Sequence, residues 1–491
     1  MTTARNELNT LEASGLVQVA TLEPELEYLF RHALVQDAAY SSLLKQDRRT
    51  LHRLAADTVL ALYPDRRREL AAVIGMHYER AGDMAAAAEH FVVAGEQALE
   101  RFANKDALAF FDRAEASFPP DDDRLELRIR AAIGGARVSW TFRGADDSIG
   151  RLERTLPVAE GHGDLKLLGD MYFWIAFMRR VRGENPVTSP ELKHVLDRAR
   201  EIGVARGDPA ADALPDAFMA VGLMFGGDLR EGTRALEEAL ELLGSGGDAV
   251  SATILHGLLS LGHSRLGNFA AAEQALTKAS AFAANGDPIG ALDVDITRSG
   301  LFVERGDIAE GEALATSCAA RSEELGALAC AVPANIITGA AHLARNDALG
   351  AKAPLERGEE LANVASMGSF QTLAEGMLSA VRARLGDVPG ATAGWTVALE
   401  RAGATHDRYG EAITRWQRAN ATPADPGASI ADLDVAAQLF EEMHARPSLA
   451  RVLRDLAKLL RTTGRTADGD AADARSRTLA AELGLKDFPA G

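Results

Sequence analysis

Cysteine, aromatic side chains and positive charge are scarce in this 491-residue sequence. Two cysteines cannot build a disulfide framework, which excludes small stapled domains and points to a reducing compartment. Aromatics make up only 5%, so the core has to be assembled from closely packed Ala and Leu. Lys and Arg total 53 against 71 Asp and Glu, and the net charge of −18 repels phosphate backbones and anionic lipid. Long apolar runs are missing too. The stretch from Leu325 to Ala344 holds no Asp, Glu, Lys or Arg, but it carries Pro333, Asn335, Thr338 and His342 and reads as a buried helix pair. A signal peptide is not expected either, because Arg5, Glu7 and Glu12 interrupt the N-terminal region.

What is present is the composition of a folded chain, 47% apolar and 25% charged, with an internal period. Gly-Asp or Gly-Asn after a helical stretch recurs at Gly227, Gly267, Gly306 and Gly386, with Asn346 standing in once, at spacings of 40, 39, 40 and 40. Such a period marks a solenoid in which each repeat packs on its neighbours. Further corners are expected at Gly82, Gly144, Gly183 and Gly464. The uneven spacings imply an extra helix after Gly82, an insertion after Gly183 and a hidden turn near Pro426-Gly427. Gly closes one helix in the left-handed conformation and the following Asp or Asn caps the next.

The residues after each corner alternate large and small at helical spacing. Met84, Ala87, Phe91 and Ala94 follow Gly82; Leu229, Gly232, Leu236 and Ala239 follow Gly227; Phe269, Ala272, Leu276 and Ala279 follow Gly267; Val388, Ala391, Trp395 and Ala398 follow Gly386. Small residues let two helices approach while the large one fills the space opposite. Upstream, Tyr172, Ile175 and Ala176 precede Gly183, and Trp416 precedes Gly427, where His256 holds the equivalent place before Gly267.

On these residues the chain resembles an array of tetratricopeptide-type hairpins, lengthened from the roughly 34 residues typical of that repeat to about 40. The resemblance implies an all-α, right-handed superhelix. Near the N-terminus, Leu16-Val17-Gln18-Val19 and Tyr28-Leu29-Phe30 are short β-like runs around Pro24, with a helical pattern from about His32. The stretch from Phe30 to Tyr40, with Leu43-Leu44 and Leu51-His52, and the phrase from Tyr78 to Ala114, are similar to the segment joining a winged-helix unit to helical repeats in bacterial multidomain signalling ATPases. That family includes large adenylate/guanylate cyclases and transcriptional regulators. The organisation expected is a winged-helix-like remnant over 1–40, linker helices and first repeats over 41–120, a central superhelix over 121–427 and capping repeats over 428–491.

The family's nucleotide module is not legible here. No Gly-x-x-x-x-Gly-Lys-[Ser/Thr] occurs, so nothing recognisable cradles a triphosphate, and no cofactor is expected. The chain is expected to be a stand-alone derivative or the tail of a split parent. Residues 1–80 hold ten Lys/Arg and eleven Asp/Glu, so Arg48, Arg49 and Arg53 read as a solvated helix face rather than a DNA-binding one.

Candidate chemistry is sparse. Gly262-His263-Ser264 lacks the second glycine of a hydrolase elbow. Asp293-Val294-Asp295 is followed by Thr297 and Arg298, which suits helix-start charge or groove lining better than a calcium loop. Cys318 and Cys330 have no histidine at ligand spacing and read as buried thiols. Gly244-Ser245-Gly246-Gly247-Asp248 reads as an inter-repeat loop. No enzyme is expected.

One cluster stands out. Met171 to Met178 reads Met-Tyr-Phe-Trp-Ile-Ala-Phe-Met, followed by Arg179, Arg180 and Arg182. Its apolar residues wrap the helix all round, as in a central helix packed on both sides or an aromatic binding platform. If the hairpin packs in the family manner, Asp170, Phe173, Phe177 and Arg180 face an inner stripe, flanked by Val138 and Thr141 on one side and Val221 and Met224 on the other. That stripe, apolar with a cationic edge, would hold a peptide or protein partner. The resulting expectation is a non-catalytic scaffold or sensor in bacterial signal transduction, cytoplasmic, without membrane or nucleic-acid partners. The alternative is the regulatory tail of a nucleotide-driven signalling protein.

Overall fold

A computed structural model describes residues 2–21, 27–119, 122–207, 209–244, 249–284, 286–422 and 425–488. The chain divides into two compact units, Met1–Gln97 with Ala109–Asp123, and Ala98–Leu108 with Arg124–Gly491. In the first unit, α1 (Thr2–Ala13) leads into an antiparallel hairpin of β1 (Val17–Thr21) and β2 (Glu27–Phe30), with Val17 opposite Phe30 and Val19 opposite Tyr28. These are the two short runs expected from the sequence; the Pro24 region between them lies outside the described residues. Then follow α2 (Ala33–Ser42), α3 (Lys45–Leu62), α4 (Ala71–Ala81) and α5 (Met84–Glu100). Arg49 and Arg53 are exposed on α3, and Arg53 pairs with Asp83 at 2.9 Å. The extra helix after Gly82 is α6 (Asn104–Ser117), which crosses the division between the units.

The second unit is an array of helices: α7 (Leu125–Arg143), α8 (Ala145–His162), α9 (Leu165–Val181), α10 (Pro190–Arg206), α11 (Pro209–Phe225), α12 (Leu229–Leu243), α13 (Ala249–Leu266), α14 (Phe269–Ala283) and α15 (Pro288–Arg305). It continues through α16 (Ile308–Leu325), α17 (Leu328–Ala344), α18 (Ala348–Val364), α19 (Gly368–Arg384), α20 (Val388–Thr405), α21 (Arg408–Ala421), α22 (Pro426–Glu442), α23 (Arg446–Thr462) and α24 (Thr466–Leu483). The corner at every anticipated position separates two helices, including the hidden one between α21 and α22. The insertion after Gly183 is the segment ahead of α10.

The corners work as their chemistry dictates. At Gly386 the Asp387 N–H donates to Arg382 O at 2.9 Å, closing α19, and Asp387 Oδ1 accepts from Gly390 N at 3.0 Å, opening α20. Asn346 takes the same left-handed turn with φ +60°, and Asp347 caps Gly350 at 2.9 Å. Asp307 departs from the pattern: its carboxylate is drawn to Arg305 and to Lys486 Nζ at 2.6 Å instead of capping α16. Behind the corners the small and large positions are buried: Ala272, Leu276 and Ala279; Ala391, Trp395 and Ala398; Gly232, Leu236 and Ala239. A Cβ added at Gly232 would lie 2.6 Å from Ala220 O, so the approach of α12 to α11 depends on the missing side chain.

Consecutive helices form hairpins, and from α7 to α21 each odd-numbered helix also packs on the next odd-numbered one, so the odd helices build the inner wall. The wall then meets itself. Helices α7 and α9 pack against α17 and α19, and α13 and α15 against α23. Hydrogen bonds seal these contacts: Ala145 N donates to Ala365 O at 2.9 Å, Ser369 Oγ to Arg180 O at 2.8 Å, Arg451 Nη2 to Glu304 O at 2.9 Å and Lys486 N to Arg305 O at 3.1 Å. Residues far apart in sequence thus bury one another's inner faces.

Candidate functional site

Helix α9 carries the aromatic run of the second unit. Asp164 starts it, accepting from Lys166 N at 2.8 Å and Leu167 N at 3.0 Å, and Met171 through Met178 are all buried. Both faces are covered because α8 and α10 flank it in sequence while α7, α11 and α19 pack on it from the inner wall. The aromatic rings interlock edge to face: Phe177 with Trp140 at 5.2 Å, with Trp174 at 5.6 Å and with Phe218 at 5.7 Å, and Phe173 with Phe218 at 5.2 Å. Such pairs contribute about 0.5–1.5 kcal/mol each beyond their buried area.

The structure places the stripe residues on neighbouring inner helices, with Val138, Thr141, Phe173, Phe177, Arg180, Val221 and Met224 buried and Asp170 half-buried. Phe173 and Phe177 meet, through Phe218. A Cβ on Gly232 or Gly262 would touch the Met224 side chain, which marks Met224 as packed among α12 and α13. Trp140, Phe218 and Phe225 lie outside the expected stripe, although Phe218 and Phe225 share one face of α11 at a spacing of seven.

The expected cationic edge is corrected by the ion pairs. Arg179 binds Glu153 at 2.5 Å and Glu184 at 3.2 Å, and Arg182 binds Glu184 and, at 3.4 Å, Asp146. Burial works to raise the Glu184 carboxyl, but the Ser189 hydroxyl with Arg182 and Arg179 outweighs it and holds the group below the usual range. Arg180 turns inward instead, its Nη1 donating to Glu184 O at 2.6 Å and its guanidinium lying 4.5 Å from the Phe225 ring centre.

Between α9, α11 and α13 the side chains of Phe173, Trp174, Phe177, Phe218, Ser251, Ile254 and Leu255 close on a tight cleft that leaves no free volume for a water molecule. Its walls are apolar, with Ser251 as the hydroxyl-bearing member. A hydrophobic group would enter it only by displacing these side chains.

The remaining motifs resolve into packing. Ser264 is buried in α13, its hydroxyl donating to Ser260 O at 2.7 Å, and Cys318 and Cys330 are free and buried. Of the loop 244–248, residues 245–248 lie outside the described set. Asp293 and Asp295 sit inside α15 rather than at its start, a correction to the helix-start reading; the cap is Asp287, which accepts from Ile289 N at 3.0 Å. Asp295 pairs with Arg321 at 2.7 Å. Burial, helped by Asp287, pushes the Asp293 carboxyl up to about 6. The folded state therefore binds this proton more tightly than the unfolded chain, and stability falls as pH rises from the ordinary carboxylate range through about 6. Asp293→Asn is expected to raise the melting temperature at pH 7.5 and to have little effect at pH 4. A lower melting temperature at pH 7.5 would contradict this.

Among the described residues no helix is long and apolar enough to cross a membrane, and no group of three or more His, Cys, Asp or Glu side chains is placed to hold a metal ion.

With this geometry established, comparison with known proteins gives the class. No family model matches the sequence. An uncharacterized protein of Rhizobium meliloti (strain 1021) is 30% identical over 139 residues, 26% of this chain and 13% of that protein, so the chain matches only a small part of that relative's length. Among solved structures, a Rap protein complexed with Competence and Sporulation Factor is similar with a TM-score of 0.55 and 11% identity, over 74% of this chain and 99% of that one. A Rap conjugation gene regulator of plasmid pLS20 in complex with the Phr* peptide follows at 0.48 and 12%, over 74% and 98%. A signal transduction ATPase with numerous domains and a tetratricopeptide repeat sensor, from Pyrococcus horikoshii, matches 98% of this chain and 58% of its own at 0.33 and 11%. The fold is that of a tetratricopeptide-like helical-repeat superhelix.

Proposed function

We propose that the chain is a non-catalytic scaffold or sensor module that holds a peptide or protein partner in bacterial signal transduction. The observation that carries this reading is the aromatic cleft at the inner wall, where Phe173 and Phe177 join Phe218 and the half-buried Ile254 in an apolar surface that a hydrophobic side chain would open on binding. The other stripe residues, Val138, Thr141, Asp170, Arg180, Val221 and Met224, act as its support. The similar Rap structure, which contains Competence and Sporulation Factor, favours a captured ligand over a purely architectural role. A cytoplasmic site suits the two free, buried cysteines. The hairpin after α1 serves in this proposal as a winged-helix-like remnant over residues 1–40, a spacer or interaction surface, with the linker, central and capping regions as delimited above.

A second reading, that the chain is the regulatory tail of a nucleotide-driven signalling protein, is favoured by the stretch from Phe30 to Tyr40 and the phrase from Tyr78 to Ala114, which are similar to the corresponding segments of multidomain signalling ATPases. Under either reading the chain by itself is expected to show no saturable ATP binding at micromolar nucleotide. Titration with a fluorescent ATP analogue checks this, and tight binding would demand a site of a different kind.

The cleft is tested by blocking its rim. Ile254 is half-buried at its rim, and Ile254→Trp is expected to abolish co-purification of the partner while the protein still melts cooperatively. The exposed Leu242, 63% accessible, provides the control as Leu242→Trp. A folded Ile254→Trp protein that captures its partner as well as wild type would overturn the reading.

A further inference from the structure

Two corners near the middle of the chain are covered by residues from its far end. A Cβ at Gly267 would lie 2.5 Å from Leu483 Cδ2, and one at Gly306 would lie 2.6 Å from Asp487 N and 2.9 Å from Lys486 N, so the end of α24 and the segment after it rest directly on both corners. Gly484 turns the chain out of α24 in the left-handed conformation, with φ +64°. Leu485 is then buried with Ala450 and Ala480, and Phe269, just past the Gly267 corner, joins the same apolar group. Beyond Leu485 the contact is polar. Lys486 N donates to Arg305 O at 3.1 Å, and Lys486 Nζ pairs with Asp307 at 2.6 Å. Arg451, buried in α23, holds Asp487 at 2.8 Å and donates through Nη2 to Glu304 O at 2.9 Å. Carbonyl groups at the end of α15, which no later helical N–H reaches, are thus taken up from α23 and from the segment after α24.

The helix caps register this contact. At the other corners that carry Asp, the side chains of Asp83, Asp228, Asp347 and Asp387 each accept from the N–H three residues on, at 3.1, 3.3, 2.9 and 3.0 Å. Asn268 and Asp307, at the two covered corners, make no such bond. For Asp307 the competitor is in place: Arg305 Nε engages Oδ2 and Lys486 Nζ engages Oδ1, which leaves Glu310 N without the acceptor that its counterparts have. Burial works to raise the Asp307 carboxyl, but Lys486 and Arg305 outweigh it and hold the group below its ordinary range. An Asp at a helix start favours the cap, so this carboxylate has two alternative arrangements, one made with the segment after α24 and one with its own helix.

We propose that residues 484–488 form a releasable strap across the superhelix. Docked, the strap ties the Gly306 corner to α23 and draws Asp307 away from α16. Released, it returns Asp307 to Glu310 N as the cap and lets α13 and α15 part from α23, against which they pack, so that the inner wall opens on that side. The regained cap offsets part of the lost docking, and the exposed Lys486 makes the docked state sensitive to salt. That such an opening admits a partner rests on the scaffold reading above; the strap and its exchange with the cap do not.

The test uses the full chain, with hydrogen exchange resolved to single amides and X-ray scattering. In wild type, raising sodium chloride from about 0.05 to about 0.5 M is expected to speed exchange at amide 486 about fivefold while Leu479, inside α24, is unchanged. In Lys486→Ala/Asp487→Ala, amide 486 is expected to exchange about tenfold faster and the Glu310 amide about threefold slower, with a larger radius of gyration. Asp307→Asn, which keeps a capping side chain and loses the charge, is expected to give the same pair of exchange changes. Asp307→Ala is expected to free amide 486 without slowing Glu310. A Glu310 amide that is no slower in folded Asp307→Asn and in the double variant would overturn the exchange of partners. Amides 486 and 479 opening together at both salt concentrations would overturn the strap as a separate element, and a radius of gyration unchanged in the double variant would overturn the opening. None of these readouts uses a partner, so they fail or succeed independently of the capture test at Ile254.

Discussion

Replacing Gly144 by alanine is expected to cost the second unit several kcal/mol of stability, far more than the same change at Gly386. Gly144 joins α7 to α8 with φ +100° and ψ 174°, a backbone region essentially restricted to glycine, and forcing alanine there costs about 1–3 kcal/mol. Space is the second term. A Cβ at Gly144 would lie 2.5 Å from Ala365 O and 2.7 Å from Ala365 Cα, main-chain atoms that cannot swing aside. Relieving that clash costs a further ~1–3 kcal/mol and strains the Ala145 N to Ala365 O hydrogen bond. Gly386, with φ +95°, has nothing within 4 Å of an added Cβ, so only the conformational term applies. Urea unfolding of the two variants checks the difference. Equal losses would mean that the contact between α8 and the end of α18 is not held in solution.

Phe177→Ala is expected to destabilise the protein by about 3–5 kcal/mol, the cost of removing a large buried side chain from surroundings that cannot collapse. The ring is 5% exposed and bridges Trp140, Trp174 and Phe218, so its loss opens a cavity shared by α7, α9 and α11. Phe173→Ala should lose a comparable amount through its contacts with Trp174 and Phe218. Arg180→Ala should lose less, because removing a buried guanidinium whose Nε has no partner offsets part of the lost packing on Phe225 and the lost Nη1 bond to Glu184 O. Thermal unfolding of the three variants against wild type orders them. A melting temperature barely changed in Phe177→Ala would show that this ring is not part of the core. Since Phe177 also lines the cleft, partner capture is better read from Ile254→Trp, at the rim.

Much of the architecture was legible because it is local. Gly386-Asp387 and Asn346-Asp347 announce a helix end and a helix start through chemistry confined to a few residues, and Ala391, Trp395 and Ala398 announce which face of α20 is buried through spacing alone. Some turns do not announce themselves this way: the junctions between hairpins at Ser366, His406 and His444 adopt positive φ without a glycine. The candidate site was less legible. The aromatic run of α9 is plain in the sequence, but its partners Trp140 and Phe218, and the arginine Arg265 that joins Arg180 at Phe225, lie on other repeats. A register signal did exist, since Arg180, Phe225 and Arg265 stand two or three residues before the corner glycines Gly183, Gly227 and Gly267.

By itself, then, the sequence determined the hairpins, their period near 40 residues and the large-and-small packing of each pair, because these depend on contacts three or four residues apart or across one corner. Only the tertiary structure decided what the inner wall encloses. The register in which α7 and α9 meet α17 and α19 is the sum of small rotations over five hairpins, none of them written in any one repeat. That sum buries Phe177, turns Arg180 inward while Glu184 neutralises Arg179 and Arg182, and brings Arg265 and Asp407 to it from other repeats.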